Sequence, residues 1–303
     1  MNTKIAISLG DPGGIGPEVT LKALKEIQHP LTIKLYGSEC LFQPFQSLRH
    51  HQITYCHCYD LNQPIHQDNN AINGSASFTY LKQAVEDAMA KKIMQLVTAP
   101  ISKTAWQQAG IHYTGHTTAL KALSNAETVS MAFYTPNLKT ILATIHIPLM
   151  QVSSQLTQER LNVTFEHAQL LCQQLGITAP KIAVAGLNPH AGEGGLFGTE
   201  EQKIKDIIDK SAVTVLGPYP PDTLYHRAYQ GEFDIVVSLY HDQGLIPIKL
   251  IGFHDAVNVT VGLPFIRTSP DHGTAFDIVG QDQADPSSMQ AAIELTQQLN
   301  PPK

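Results

Sequence analysis

Ser8-Leu9-Gly10-Asp11-Pro12-Gly13-Gly14-Ile15-Gly16-Pro17-Glu18-Val19 puts four glycines and two prolines between a short apolar strand and an amphipathic helix. Glycine admits positive φ and carries no Cβ, so such a turn brings backbone close to a ligand. Pro17 suits the first helical position, and the free N–H groups of that helix face the loop. The turn therefore favours an anion or a polar small molecule. Its spacing is neither a dinucleotide-type G-x-G-x-x-G nor a Walker loop ending in Gly-Lys-Ser/Thr. Outward from this turn, apolar runs and amphipathic stretches alternate along the whole chain.

Strands are expected over 4–9, 32–36, 95–98, 130–134, 140–145, 181–187, 234–239 and 257–261, which are short, rich in Val, Ile and Ala, and bounded by loop residues. Helical spacing covers 18–27, 78–92, 117–123, 158–175, 200–210 and 287–299, the last started by Asp285-Pro286-Ser287. The class is α/β, with several parallel strands. Residues 40–73 are polar, rich in His and Gln, and weakly periodic, as a variable surface region would be.

At 303 residues with 43% hydrophobic content, the chain is long enough for two domains or one large α/β domain with well-filled cores. A formal charge of −6 and the absence of any basic run exclude a broad nucleic-acid footprint. The N-terminus lacks a signal-peptide h-region and no apolar run approaches membrane-spanning length, so a cytoplasmic protein without membrane partners is expected. Four cysteines make no disulfide framework, and Cys56-His57-Cys58 has no second cysteine pair to complete a zinc site. They read as ordinary thiols.

Five further loops carry polar side chains beside Gly or Pro directly after apolar runs: Thr98-Ala99-Pro100-Ile101-Ser102-Lys103, Thr114-Gly115-His116-Thr117, 186–195, Tyr240-His241-Asp242-Gln243-Gly244, and 262–277. Loops at strand ends converge on one crevice in open α/β sheets. His146, His190 and His241 each stand where a strand leaves the core, and three imidazoles from three loops would give a catalytic metal three ligands. Taken singly, each is as well explained by ordinary hydrogen bonding. Lys103, Lys249 and Arg267 lie in or beside these loops, and Arg267 could fork onto a phosphate or carboxylate. His116 and Thr117 open a predicted helix, where the dipole favours an anion; simple capping by Thr117 is the competing explanation.

Two segments resemble the β-decarboxylating hydroxyacid dehydrogenases. The opening turn is similar to their Gly-Asp-Gly-Ile-Gly-Pro-Glu start with a Pro-Gly inserted, and His272-Gly273-Thr274-Ala275-x-Asp277-Ile278 resembles their nicotinamide-binding His-Gly-Ser-Ala-Pro-Asp-Ile. With Leu187-Asn188-Pro189-His190-Ala191-Gly192-Glu193, Tyr240-His241-Asp242-Gln243-Gly244 and Gly262-Leu263-Pro264-Phe265-Ile266-Arg267-Thr268-Ser269, the chain resembles, nearly end to end, the 4-hydroxythreonine-4-phosphate dehydrogenase (PdxA) family.

The resemblance implies a two-domain fold like isocitrate and isopropylmalate dehydrogenases, with a cleft between domains at approximately 1–112 with 252–303, and 113–251. It carries His146, His190 and His241 onto metal ligands and His116, Thr117, Lys249, Asn258 and Arg267 onto substrate-binding positions. Gly13, Gly14, His272, Gly273, Thr274 and Asp277 become cofactor-binding. It further implies NAD or NADP, a divalent ion (zinc first, cobalt or magnesium as alternatives), a phosphorylated small-molecule substrate, and a homodimer with a shared active site. The implied activity is oxidation of 4-phosphooxy-L-threonine in pyridoxal phosphate biosynthesis, with Asp242 and Asp222 as candidate bases; Asp222 equally suits a helix or turn cap. A 4-phospho-threonate or erythronate dehydrogenase, and a non-catalytic small-molecule binding protein, are the alternatives. Two departures from the family pattern stand out: Thr118 occupies a position where many members have Glu, and the first third of the chain is shorter.

Overall fold

The structure is a computed structural model that describes residues 5–61 and 65–302. In chain order it contains β1 (Ile5–Ser8), α1 (Gly16–Glu26), β2 (Thr32–Gly37), β3 (Gln52–His57), α2 (Ala71–Met89), β4 (Gln95–Thr98), α3 (Lys103–Gln108) and α4 (His116–Ser124). Next come β5 (Ser130–Tyr134), β6 (Lys139–Leu142), α5 (Val152–Gln155), α6 (Gln158–Gln174), β7 (Ile182–Ala185), α7 (Glu200–Asp209), β8 (Val215–Tyr219) and α8 (Pro221–Tyr229). The chain finishes with β9 (Ile235–Ser238), α9 (His241–Gly252), β10 (Val257–Val261), β11 (Ile266–Pro270) and α10 (Ser287–Gln298). The α/β class expected from the alternating pattern is the class observed.

Two compact units contain these elements, Met1–Glu127 with Leu263–Lys303, and Thr128–Gly262. Their limits follow from packing. Helix α4 packs on α2 and so belongs to the first unit, while β10 pairs antiparallel with β5 and so belongs to the second. Both crossings therefore fall further along the chain than the approximate positions near 112 and 251.

In the first unit the strands run β3-β2-β1-β4-β11, all parallel. Such a sheet delivers its loops from one edge, the C-terminal ends of its strands. Those ends lead into the opening glycine turn after β1, the Thr98–Ser102 loop after β4 and the His272 loop after β11. Helix α3, which the sequence pattern does not signal, seats Trp106 fully buried, with its ring N–H donating to Ser77 Oγ at 2.9 Å.

In the second unit the order is β10-β5-β6-β9-β7-β8, with β10, β5 and β6 antiparallel and β6, β9, β7 and β8 parallel. The four parallel strands end on the same edge. After β6 comes His146, after β9 His241, after β7 His190 and after β8 Asp222, so the topology gathers these residues in a row. Phe133, Leu142, Val236, Leu245 and Ile248 form part of the core beneath them.

Several elements escaped the pattern for identifiable reasons. Strand β3 is a half-exposed edge strand of mixed polarity, and β8 carries Gly217 and Pro218. Strand β11 reads Ile-Arg-Thr-Ser-Pro yet is buried at every position, because its polar groups are satisfied inside the fold. Helix α9 starts at His241 and continues through Pro247, so its sequence looks like a loop.

Candidate active site

The opening turn is closed by contacts only glycine tolerates. Gly10 has φ +70°, and a Cβ there would lie 2.3 Å from Pro100 O; a Cβ on Gly13 would lie 2.1 Å from His66 O. Asp11 Oδ1 accepts the Gly13 N–H at 2.9 Å, pinning the turn. Ile15 N–H donates to Thr274 O at 2.9 Å, which brings Gly13 and Gly14 together with the His272-Gly273-Thr274 segment. Asp277 is exposed in the short helical turn that follows.

Arg267 anchors a second feature of the same unit. It lies on β11 opposite Leu96 of β4, is only 2% exposed, and donates to Thr98 Oγ1 through Nη2 at 2.7 Å and Nε at 3.2 Å. Burial pushes its guanidinium down to about 9, so it remains a cation at neutral pH. His116, the first residue of α4, stands edge-on to Trp106 at 5.9 Å, and burial, then the charges of Arg267 and Lys103, hold its imidazole well below the usual histidine range. Thr117 follows in the first turn of α4. Lys103 opens α3 with its side chain exposed. A buried cation beside a neutral imidazole at a helix N-terminus is an arrangement that can receive an anion.

In the second unit, His146 and His241 have ring centroids 5.6 Å apart, and Asp242 Oδ1 engages His241 Nδ1 at 2.7 Å. That bond fixes the ring so that Nε2 is the nitrogen left for a ligand. His190 lies instead against Phe197, centroids 6.2 Å apart. Among the described residues, no group of three or more His, Cys, Asp or Glu stands close enough to hold a metal ion. His190, Ala191, Gly192, Glu193 and Gly194 are consecutively left-handed, with φ of 53°, 50°, 78°, 43° and 65°. Three of them are not glycine, and each costs roughly 1–2 kcal/mol in that conformation, so the loop is strained where a candidate ligand sits. Asp222 is exposed in the first turn of α8, Lys249 has its Nζ 6.0 Å from the Phe253 ring centroid, and Asn258 sits in β10.

One observation selects among these residues independently of motif. Among the described residues, six buried side-chain atoms lack a hydrogen-bond partner: Asp11 Oδ2, Gln95 Oε1, His116 Nε2, Asn162 Oδ1, Asn258 Oδ1 and His272 Nε2. Buried polar groups are normally satisfied, so each exception asks for a ligand, a water or a functional reason. Three of the six, His116, Asn258 and His272, are residues nominated for substrate or cofactor. Sequence reasoning passed over Asp11 and Thr98 as individuals. Thr98 becomes visible only once β4 and β11 are known to pair, and no local signal marks it.

The profile of the pyridoxal phosphate biosynthetic protein PdxA family matches residues 16–296. The chain belongs to the PdxA family. A D-threonate 4-phosphate dehydrogenase of Pectobacterium atrosepticum is 39% identical to it, covering 99% of this chain and all of that protein. A 4-hydroxythreonine-4-phosphate dehydrogenase of Sulfurihydrogenibium is 40% identical, covering 96% and 97%. The crystal structure of 4-hydroxythreonine-4-phosphate dehydrogenase from Klebsiella pneumoniae superposes with a TM-score of 0.88 at 36% identity, covering 97% of this chain and 98% of that one. In this PdxA-family chain no helix of the described residues is long and apolar enough to cross a membrane.

Proposed function

We propose that the chain is a NAD(P)- and divalent-metal-dependent dehydrogenase that oxidises 4-phosphooxy-L-threonine to 2-amino-3-oxo-4-(phosphooxy)butanoate. The β-keto acid then loses CO₂ to give 3-amino-2-oxopropyl phosphate, a step of pyridoxal 5′-phosphate biosynthesis. The observation that carries this reading is the buried Arg267 beside His116, whose Nε2 has no protein partner. With Thr117 they bind the phosphorylated substrate, supplying donors to a group that carries two negative charges, and Lys249 and Asn258 of the second unit are proposed as further substrate-binding residues.

His146, His190 and His241 are the protein's ligands for a divalent ion, and nitrogen donors favour zinc or cobalt over magnesium. The paired rings of His146 and His241 and the oriented Nε2 of His241 fit that role. The nicotinamide supplies the hydride acceptor and the ion supplies Lewis acidity at the hydroxyl being oxidised. Asp242 orients His241, which leaves Asp222 as the carboxylate for removing the hydroxyl proton. The Gly13-Gly14 turn and the His272, Gly273, Thr274 and Asp277 segment bind the cofactor.

A homodimer with a shared site completes the reading. Ile246 and Leu250 on α9 and Phe253 at its C-cap are 67%, 83% and 71% exposed and recur at helical spacing. An apolar stripe of that kind fits a second copy of the chain. His190, standing apart from the other two histidines, then has a partner subunit to serve.

The identity to D-threonate 4-phosphate dehydrogenases, and Thr118 in place of the more usual Glu, favour a second reading in which the substrate is the phosphorylated sugar acid. Reduction of NAD⁺ and NADP⁺ with each substrate separates the two. Turnover of 4-phosphooxy-L-threonine supports the first, turnover of D-threonate 4-phosphate alone supports the second, and no reduction with either overturns both.

A further inference from the structure

The strain in the His190 loop has an identifiable restraint. Glu201 of α7, 7% exposed, accepts the backbone N–H groups of Leu187 and Asn188 on Oε1 at 2.9 and 2.6 Å, and the Asn188 side-chain amide on Oε2 at 3.0 Å. Glu200 Oε2 accepts the same amide at 2.9 Å, while Glu200 Oε1 accepts Ser153 Oγ at 3.1 Å. Ser153 lies on α5, in the segment that begins at His146, so Glu200 ties the His146 segment to the His190 loop. Gly192 and Gly198 close over these carboxylates: a Cβ on Gly192 would lie 2.7 Å from Glu201 Oε2, and one on Gly198 would lie 2.7 Å from Glu200 Oε2. On the other side, Gln243 Nε2 donates to Gly186 O at 2.7 Å and its Oε1 accepts the Leu239 N–H at 2.7 Å, which joins the same loop to the segment carrying His241.

We infer that Glu200 and Glu201 are positioning residues: the acidic pair clamps Asn188 and Ser153 so that His190 is held in its left-handed loop in fixed relation to the His146 segment. Charged acceptors suit this task, because a carboxylate takes several N–H groups at once through strong, short bonds. An uncharged amide cannot replace Glu201. Whichever way Gln is turned, its NH₂ meets a donor, either the Leu187 and Asn188 backbone N–H groups or the Asn188 side-chain amide. The inference rests on the proposed reading of the histidines as metal ligands.

The test compares wild type, Glu201→Gln and Ser153→Ala, each stripped and then titrated with zinc against a competing chelator, with amide hydrogen exchange over residues 187–195 measured on the zinc-free proteins. Glu201→Gln should speed exchange in this stretch at least about tenfold and weaken zinc binding about 10- to 100-fold, the usual effect of losing a group that orients a metal ligand. Faster exchange with wild-type zinc affinity overturns the inference, as does unchanged exchange. Should Glu201→Gln fail to fold, Ser153→Ala, which removes one part-buried bond, is expected to weaken zinc about threefold, the effect of losing one hydrogen bond, and wild-type affinity in that variant overturns the link through Glu200. Absence of zinc binding by the wild type is a separate outcome: it defeats the metal reading itself and the inference with it.

Discussion

Arg267 is 2% exposed and reaches Thr98 with two N–H groups, whereas His190 is exposed and stands first in a run of five left-handed residues. The Arg267 corner takes its properties from burial: a desolvated cation and a neutral imidazole are rigid before substrate arrives, and low dielectric strengthens whatever anion they meet. The histidine loops take theirs from hydrogen bonds on an accessible strand edge, where imidazoles remain open to solvent. Two ways of building a site thus coexist, one paid for in desolvation and the other in backbone strain.

The largest effect should come from the strained side. His190→Ala is expected to reduce turnover below detection while the thermal unfolding midpoint moves little, since the residue is exposed and no core contact is lost; undiminished kcat would remove the histidines from the account. Arg267→Ala should act on the other side and on a different parameter. Losing charge-assisted bonds worth about 1.5–3 kcal/mol each raises KM for the phosphosubstrate at least about tenfold, with the KM for NAD(P)⁺ nearly unchanged. A collapse of cofactor affinity with normal substrate affinity would assign Arg267 to the cofactor instead.

Mixing these two variants, assayed at phosphosubstrate concentrations well below the raised KM of Arg267→Ala so that each alone turns over poorly, sharpens the comparison. With random subunit exchange half of the dimers are mixed, and if His190 and Arg267 serve one site from different chains, each mixed dimer has one intact site. Activity should return to roughly a quarter of wild type. No recovery despite demonstrated exchange places both residues on one chain.

Smaller effects are expected in the pH dependence of stability. The folded state holds His116 below its ordinary pKa, so the unfolded chain binds the proton more readily and stability falls as pH drops below about 6.5. His116→Asn should flatten that slope in thermal unfolding measured from pH 7 to 5. Asp11 works in the opposite sense. Burial raises it from 3.8 to about 6, so its contribution is complete below the unfolded value and is lost as pH rises through that interval. Asp11→Asn should therefore raise the unfolding midpoint at pH 7 relative to wild type more than at pH 4, and equal shifts at both would contradict an ionisable buried Asp11.

How much of this was legible beforehand differs between the same two regions. The glycine turn and the histidines announce themselves because each follows an apolar strand, and the α/β alternation is enough to put them at strand ends. The Arg267 corner was legible only as a residue in a loop. The surrounding Ile-Arg-Thr-Ser-Pro looks like a turn, and it becomes a buried strand because Thr98, Ala292 and Thr296 satisfy its polar groups from distant parts of the chain. Glu201 was silent for the same reason. A helix-opening carboxylate is common, and only the fold shows that it closes on Leu187 and Asn188.

The account is tested most directly by stripping the protein of divalent ions and following nicotinamide reduction with 4-phosphooxy-L-threonine and NAD⁺ before and after zinc is restored, with phosphosubstrate binding measured by calorimetry on both forms. If, as proposed, Arg267 and His116 hold the phosphate and the chemistry depends on the histidines, the stripped protein should still bind the phosphosubstrate but not oxidise it, and zinc should bring turnover back. Oxidation by the stripped protein at the undiminished rate, or complete loss of phosphosubstrate binding on stripping, would contradict it.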